Sequence, residues 1–413
     1  MKKLLFILFT IFSVNLYSQN KEFNIEKSIY YLASDQLEGR FPSTNGDTLA
    51  VEFVENVFKD FNLQPLFNSF FQEVVFKDIH SLSQNSKQAG PKSKLSRNVV
   101  AMIQGSDPVL KNEYIVIGAH LDHLGYGGPM SGSRSKDINK VHYGADDNAS
   151  GVALMLDLAR KFSLNPTKRS IIFIAFACEE KGLNGSKQFL EALPFETKKI
   201  VAMLNFDMVG KLKNNNLTVG GIKTSNKSEK IVKKYSDKYN LNLKLSKSGV
   251  APSDHASFYA KYIPVFYFTT GADSTYHTPM DKPENINYKG IELLSSYTFD
   301  IANDLANRKT KLKFRKTKDT KSNPVKSTLK VSLGIMPDVT GSTDDGLKAE
   351  IVSKDKPADK AGMINGDIII ELNGKKVKDI YAYMDILSKI EPKSTISAKI
   401  KREGRIKEIQ IKL

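Results

Sequence analysis

Apolar residues alternate along this chain between two spacings. Thr48 to Phe61, Ser150 to Phe162, Ser228 to Tyr239 and Ile291 to Ala306 carry them at helical spacing, and a further helix is expected near Ser186 to Leu193. Between these lie short, continuous apolar runs: Asn98 to Ile103, Glu113 to Gly118, Ser170 to Ala177, Ile200 to Asn205 and Pro264 to Phe268. Runs of this length, rich in β-branched residues, read as strands buried on both faces. Strands alternating with helices predict a mostly parallel mixed sheet flanked by helices, an α/β fold. Residues 80–97 and 125–144 are polar or rich in Gly and Ser and read as loops. Asn148 or Ser150 is placed to cap the helix that follows. After Ala306 the pattern changes. Residues 328–413 read as short strands, one helix near Ile380 to Ile390 and a final alternating strand from Glu408 to Leu413, a small, mainly-β domain.

Polar residues cluster where the apolar runs stop. The run ending at Ala177 is followed by Cys178 and then by two acids, Glu179 and Glu180. His120 and Asp122 follow another strand in GAHLDHLG, Asp207 follows a third in NFDMVG, and His277 comes after the last in YHTPMD. Asp146 and Asp147 precede a helix in GADDNASG. Open α/β sheets bind ligands at the C-terminal edge of their strands, so these scattered segments have one simple place to meet. Imidazole nitrogen and carboxylate oxygen are the donors zinc takes, and a pair of metals needs a carboxylate shared between them. In the acidic pair, one member can bind metal while its neighbour moves a proton.

Composition narrows the reading. The chain has 413 residues, 40% hydrophobic and 26% charged, enough for two or three globular domains. Lys2 and Lys3 precede an apolar run from Leu4 to Val14, and Ser18 offers a small residue at a cleavage site. Residues 1–18 are therefore expected to be a signal peptide, and the product to be exported, periplasmic or secreted. No later run reaches the ~18 apolar residues of a membrane span, so no transmembrane anchor is expected. Cys178 stands alone, which rules out an intrachain disulfide and suits a small buried residue. The net charge is +16, and Arg308 to Lys330 holds ten basic residues against one acid, Asp319. With Phe314 as its only aromatic, and Pro324 and Ser327 within it, this stretch reads as a solvated basic linker over 308–327; no nucleic-acid partner is expected.

Taken together and in order, HxD, ADD, EE, the strand-end Asp and the late His resemble the dinuclear zinc peptidases that include bacterial leucyl aminopeptidases and glutamate carboxypeptidases. The resemblance runs from about Ile29 to Ala306 and includes the preface LASDQLEGRFPSTNGD, within an expected catalytic domain of residues 19–307. It implies two Zn2+ per chain, held by His120, Asp146, Glu180, Asp207 and His277, with Asp146 bridging the pair. It implies that Glu179 is the general base and that Asp122 orients the His120 ring. It places Asp254 and His255 near the substrate pocket, where they either shape it or form a turn, and Tyr276 beside the reacting centre or packed behind it. His123 is expected to point away from a ligand set by His120 and to support the ligands or line the pocket, Asp147 and Asn148 to hold the turn and cap the helix that follows, and His142 to be solvated. The implied activity is removal of N-terminal residues from peptides. A carboxypeptidase of the same family, or an inactive scaffold binding peptide tails, are the alternatives.

LGIMPD (Leu333 to Asp338) and the segment Pro357 to Asp379 resemble a PDZ domain covering residues 328–413. The resemblance implies a loop at Gly334, Ile335 and Met336 that binds the C-terminal tails of proteins or substrates. Pro337 departs from it by removing one backbone donor close to that loop.

Overall fold

The computed structural model describes residues 23–78, 92–128, 131–133, 135, 139–317, 331–337, 345–352, 354–378, 382–383, 386–387 and 389–413. The expected leader and much of the basic segment lie outside the described residues. No helix among the described residues is long and apolar enough to cross a membrane.

The first unit opens with α1 (Ile25–Leu32), capped by Asn24, and α2 (Asn45–Asp60). Thr44 Oγ1 accepts the Asp47 N–H at 3.3 Å, while the Asp47 carboxylate reaches back to the Ser43 N–H at 2.8 Å. This reciprocal cap satisfies donors that the first turn leaves open. There follow β1 (Gln64–Pro65), β2 (Phe71–Asp78), β3 (Lys92–Ile103), β4 (Tyr114–His120), α3 (Gly151–Ser163), β5 (Ser170–Phe176), α4 (Asn184–Glu191), β6 (Ile200–Phe206), β7 (Asn216–Gly220), α5 (Ser228–Ser236), β8 (Asn242–Leu245), α6 (His255–Ala260), β9 (Val265–Thr269) and α7 (Tyr288–Asn307).

Nine strands form one sheet in the order β1-β3-β5-β4-β6-β9-β7-β8, with β2 paired to β3. The centre, β5-β4-β6-β9, is parallel, as the alternation of elements predicts. Antiparallel pairings at β3–β5 and β7–β9 extend it on both sides. Every residue of β5 and β6 is buried, because successive side chains serve two cores. Ile171 and Phe173 enter the core shared with α3 and α7, whereas Ile172 and Ile174 enter a second core with Phe189 of α4 and Phe258 of α6. A sheet covered on both faces leaves only its edges for ligands.

Two expectations need correction here. The polar stretch 80–97 is not all loop: β3 begins at Lys92 and pairs with β2, which the apolar pattern did not reveal. An edge hairpin buries only one face, here through Val74 and Phe76 against Ala177 and Cys178, and its polar face hides the strand signal. The basic segment is also not simply solvated. Leu312 is buried, Phe314 packs its ring against Tyr259 and Tyr262, and Thr317 hydrogen-bonds Tyr259 and Gly249.

The second unit has its own core around Leu333, Ala349, Ile369, Leu372 and Ile400. Its strands are β10 (Ile335–Pro337), β11 (Leu347–Val352), β12 (Ile368–Leu372), β13 (Lys375–Lys376), β14 (Thr395–Arg402) and β15 (Arg405–Lys412), with α8 (Pro357–Lys360) between β11 and β12. All pair antiparallel in the order β10-β11-β12-β14-β15, with β13 on β12, so β10 is an edge strand. Part of the expected helix near Ile380 to Ile390 lies outside the described residues.

Candidate active site

The C-terminal edge of the parallel strands gathers the expected chemistry. His120 is the last residue of β4, Glu179 and Glu180 lie just past β5, Asp207 follows β6, and His277 sits in the segment after β9. They line one cleft of about 340 Å3, together with Asp147, Leu183, Tyr267 and Tyr276.

Asp147 stands between two imidazoles. Its Oδ1 is 3.2 Å from His120 Nε2 and its Oδ2 is 3.2 Å from His277 Nε2. Asp207 Oδ1 approaches His120 Nε2 at 3.5 Å, and Glu180 Oε1 approaches His277 Nε2 at 3.2 Å. The other ring nitrogen is fixed in each case: His120 Nδ1 donates to the Asp122 carbonyl at 3.1 Å, and His277 Nδ1 to the Gly132 carbonyl at 3.0 Å. Imidazoles whose Nδ1 is anchored to a carbonyl present Nε2 outward, the arrangement metal-binding histidines require.

The shared carboxylate is therefore Asp147, which corrects the expectation for Asp146. The Asp146 carboxylate turns the other way. Its Oδ1 accepts the Gly210 N–H at 2.7 Å and the Ser150 hydroxyl at 3.3 Å, so it secures the loop after β6. Of the pair Asp147 and Asn148, it is Asn148 that helps to hold the turn: its Oδ1 accepts the N–H groups of Gly151 and Met208, and its Nδ2 donates to Phe206. The sequence offers two adjacent acids, and only the backbone path decides which one faces the histidines.

Asp122 is also corrected. It is the main-chain carbonyl of Asp122 that meets the His120 ring. Its carboxylate accepts the N–H groups of Glu179 at 2.9 Å and Glu180 at 3.2 Å, which fixes the acidic pair rather than the imidazole. His123 Nδ1 lies 3.2 Å from Glu180 Oε1 and 3.9 Å from Asp147 Oδ2, a supporting position beside the candidate ligands. His142 is buried and meets Ser133 Oγ at 2.7 Å. Asp254 and His255 are buried behind the cleft; the His255 ring stacks on Tyr267, which lines it, at 4.4 Å. Tyr276 does line the cleft and stacks on His277 at 3.8 Å.

A peptidase family M28 model matches residues 98–301, and a PDZ domain model matches residues 331–413. Residues 98–301 form an M28 peptidase domain. A probable leucine aminopeptidase of Trichophyton verrucosum is 30% identical over 239 residues, 51% of this chain and 59% of that protein, so the chain covers less than two thirds of that relative. Two solved structures share the fold. A zinc aminopeptidase from Bacillus subtilis aligns with a TM-score of 0.54 at 18% identity, covering 70% of this chain and 96% of its own. A Zn-dependent exopeptidase from Parabacteroides distasonis gives 0.55 at 18% identity, covering 68% and 99%.

The site rests on two supports, one inside the M28 domain and one in the preface before it, that the motifs do not display. Asp281 is buried four residues beyond His277, and its carboxylate accepts the N–H groups of Asp146 and Asp147 at 3.0–3.1 Å. The signal was present, as an acid at fixed distance from a candidate ligand, but its partners are backbone groups. Arg40, in the preface, is fully buried and donates to the carbonyls of Leu32, Leu121, Tyr143 and Gly144. It ties the preface to the loops carrying His123 and Asp146. Gly39 beside it sits at φ +70°, where a Cβ would meet the His142 carbonyl at 2.5 Å. Burial pulls the Arg40 guanidinium down to about 10, although Asp147 and Asp281 oppose this.

The electrostatics suit a cation. Burial alone would raise the Asp147 carboxyl and lower the His277 imidazole, but their contact reverses both. Asp147 is held well below the carboxylate range by His120 and His277, and His277 is raised to about 10 by Asp147 and Glu180. Glu180, also against burial, is held at about 2 by His123 and His277. Glu179 differs: burial pushes its carboxyl well up, His120 opposes, and Glu180 and Asp207 add to the rise. One acid of the pair is thus kept ionised and the other is disposed to hold a proton.

Proposed function

We propose that this chain is an exported, zinc-dependent aminopeptidase that removes N-terminal residues from peptides. The observation that carries the reading is Asp147 with one oxygen toward each of two imidazoles, each imidazole with a further carboxylate of its own, and Glu179 on the cleft wall beside them. The donor set fits two Zn2+: His120, Asp147 and Asp207 would hold one, and His277, Asp147 and Glu180 the other, with His123 steadying Glu180. Zinc bound there would acidify a water and polarise the scissile carbonyl.

The protein's own residues then have distinct tasks. Asp122 fixes the Glu179 backbone, and so the direction of its side chain. Glu179 takes the proton of the attacking water and passes it to the leaving amine, base first and acid second. The direction of its shift, upward through burial, favours a group that can hold a proton between the two halves. Among the described residues the cleft lining offers one lysine, Lys187, and no arginine to hold a free carboxylate, against four acids. That supports a substrate entering by its amine rather than by its carboxylate.

Free-amine and N-blocked peptides should be compared with and without a chelator. Free-amine peptides should be cleaved from the N-terminus, and chelation should stop it. The Glu179→Gln enzyme should bind zinc yet lose on the order of 10²-fold or more in kcat. Cleavage restricted to N-blocked peptides with free C-termini would replace this reading with a carboxypeptidase.

A further inference from the structure

The PDZ unit does not stand apart from the cleft. Pro337, the last residue of β10, is part of the same cavity wall as His120, Glu179 and His277. A second cavity of about 280 Å3 has Tyr259, Tyr262 and Phe314 on one side and Val352, Met363 and Ile364 on the other, so the two units abut along a second line.

β10 is an edge strand: it pairs with β11 on one side, and no strand lies on its other side among the described residues. The loop before it has a lysine packed over its glycine. Gly334 lies at φ +75°, and the Lys356 side chain lies across it so closely that a Cβ there would meet Lys356 Cβ at 2.2 Å. The Gly334 N–H is turned onto Ser332 Oγ at 3.1 Å, which fixes the loop. A cationic side chain laid over a glycine loop at the start of an open strand edge fits a peptide's terminal carboxylate.

Direction then follows from strand geometry. A peptide added to β10 with its carboxylate at Gly334 runs antiparallel to that strand, so its upstream residues travel toward Pro337. Pro337 has no N–H to donate to an added strand at that position. The upstream chain is thus released at the wall of the catalytic cleft.

We infer that the PDZ unit and the M28 domain bind the two ends of one substrate: the loop at Gly334 and Lys356 holds the C-terminal carboxylate while the N-terminal residue lies at the His120–Asp147–His277 centre. The preferred substrates are then short peptides with both termini free. Their length is roughly five or six residues, about three along β10 at ~3.3 Å each and two or three in the cleft. This rests on the aminopeptidase reading, and it gives the substrate's carboxylate a place outside the cleft.

The test uses the full-length chain and peptides beginning with Leu, two to ten residues long, each as C-terminal acid and amide, beside leucine p-nitroanilide. Acids should exceed amides in kcat/KM by on the order of tenfold near five or six residues, the size of one lost charge-assisted hydrogen bond. The difference should vanish for dipeptides and shrink for ten-residue peptides that overshoot the span. Lys356→Glu should reduce it. Calorimetric binding of the same peptides to Glu179→Gln should show the same optimum without turnover. Nitroanilide turnover reports the aminopeptidase reading separately, so its loss alone leaves the calorimetric contrast to decide. Equal acids and amides at every length, or a difference that does not depend on length, would overturn the two-ended binding.

Discussion

Asp281 offers a direct way to test how the shared carboxylate is aimed. Its two oxygens take the N–H of Asp146 at 3.1 and 3.0 Å and that of Asp147 at 3.0 Å, and Lys211 Nζ lies 3.5 Å away. Asp281→Asn keeps the shape but replaces one oxygen with an NH2 group. At least one buried N–H then faces a donor instead of an acceptor, and the charge facing Lys211 is gone. Losing one hydrogen bond to a charged acceptor, with its donor left unpaired, costs about 2–3 kcal/mol. Because the affected backbone carries Asp147, the loss should also appear as 10–100-fold weaker zinc binding, the range seen when supports of metal ligands are removed. The assay is a competitive chelator titration of the purified variant, with denaturant unfolding of the metal-free protein run alongside. A variant that loses stability but binds zinc as tightly as the parent would refute the claim that Asp281 aims Asp147.

Three further outcomes follow. Asp146→Asn should retain both zinc ions and Asp147→Asn should lose at least one, measured by metal analysis after dialysis; burial, with Asp281 adding, drives the Asp146 carboxyl toward its protonated form, which Asn imitates, and the reverse result would return Asp146 to the bridging position. Arg40→Met should lower stability by about 3–5 kcal/mol in denaturant unfolding, since it removes a buried cation that serves four carbonyls, and an unchanged midpoint would deny it that role. Asp47, pushed up to about 6 by burial despite bonds from Ser43 and Ser96, lies above its unfolded value near 4, so the folded state binds more protons and stability falls as pH rises from ~4 to ~6. Asp47→Asn should remove up to about 3 kcal/mol of that slope, so a stability difference between parent and variant that is the same at pH 4 and pH 7 would contradict the shift.

The legible part of the fold is the part that burial writes into sequence. β4, β5 and β6 face two cores, so nearly every position is apolar and each strand stands out. Helix α7 buries one face and announces itself by spacing, while α3 is buried on nearly all sides over Gly151 to Ala159 and is marked by its apolar density. β2 and the first half of β3 form an edge hairpin with a solvated face, and Val75 and Leu95 are exposed there while Ser96 is buried. Polar and apolar residues on such an edge no longer report which side is inside. The segment after α7 misleads for a related reason: ten basic residues dominate its composition, yet Leu312, Phe314 and Thr317 decide its path.

The site divides in the same way, between chemistry and path. Residue types that must follow a strand end were visible, because a sheet's C-terminal edge is a place the sequence can specify. Which of two neighbouring acids faces inward is set by the backbone between β4 and α3, and that path is held from elsewhere. Arg40 holds Gly144 from the preface, and Asp281 holds the Asp146 and Asp147 N–H groups from the segment beyond β9. Asn148 closes the arrangement by tying Phe206, the last residue of β6, and Met208, just past Asp207, to the first turn of α3. These restraints act through backbone N–H and C=O groups, which every residue possesses and no motif displays. An acid pair such as Asp146 and Asp147 therefore carries its chemistry in the sequence and its geometry in contacts more than a hundred residues away.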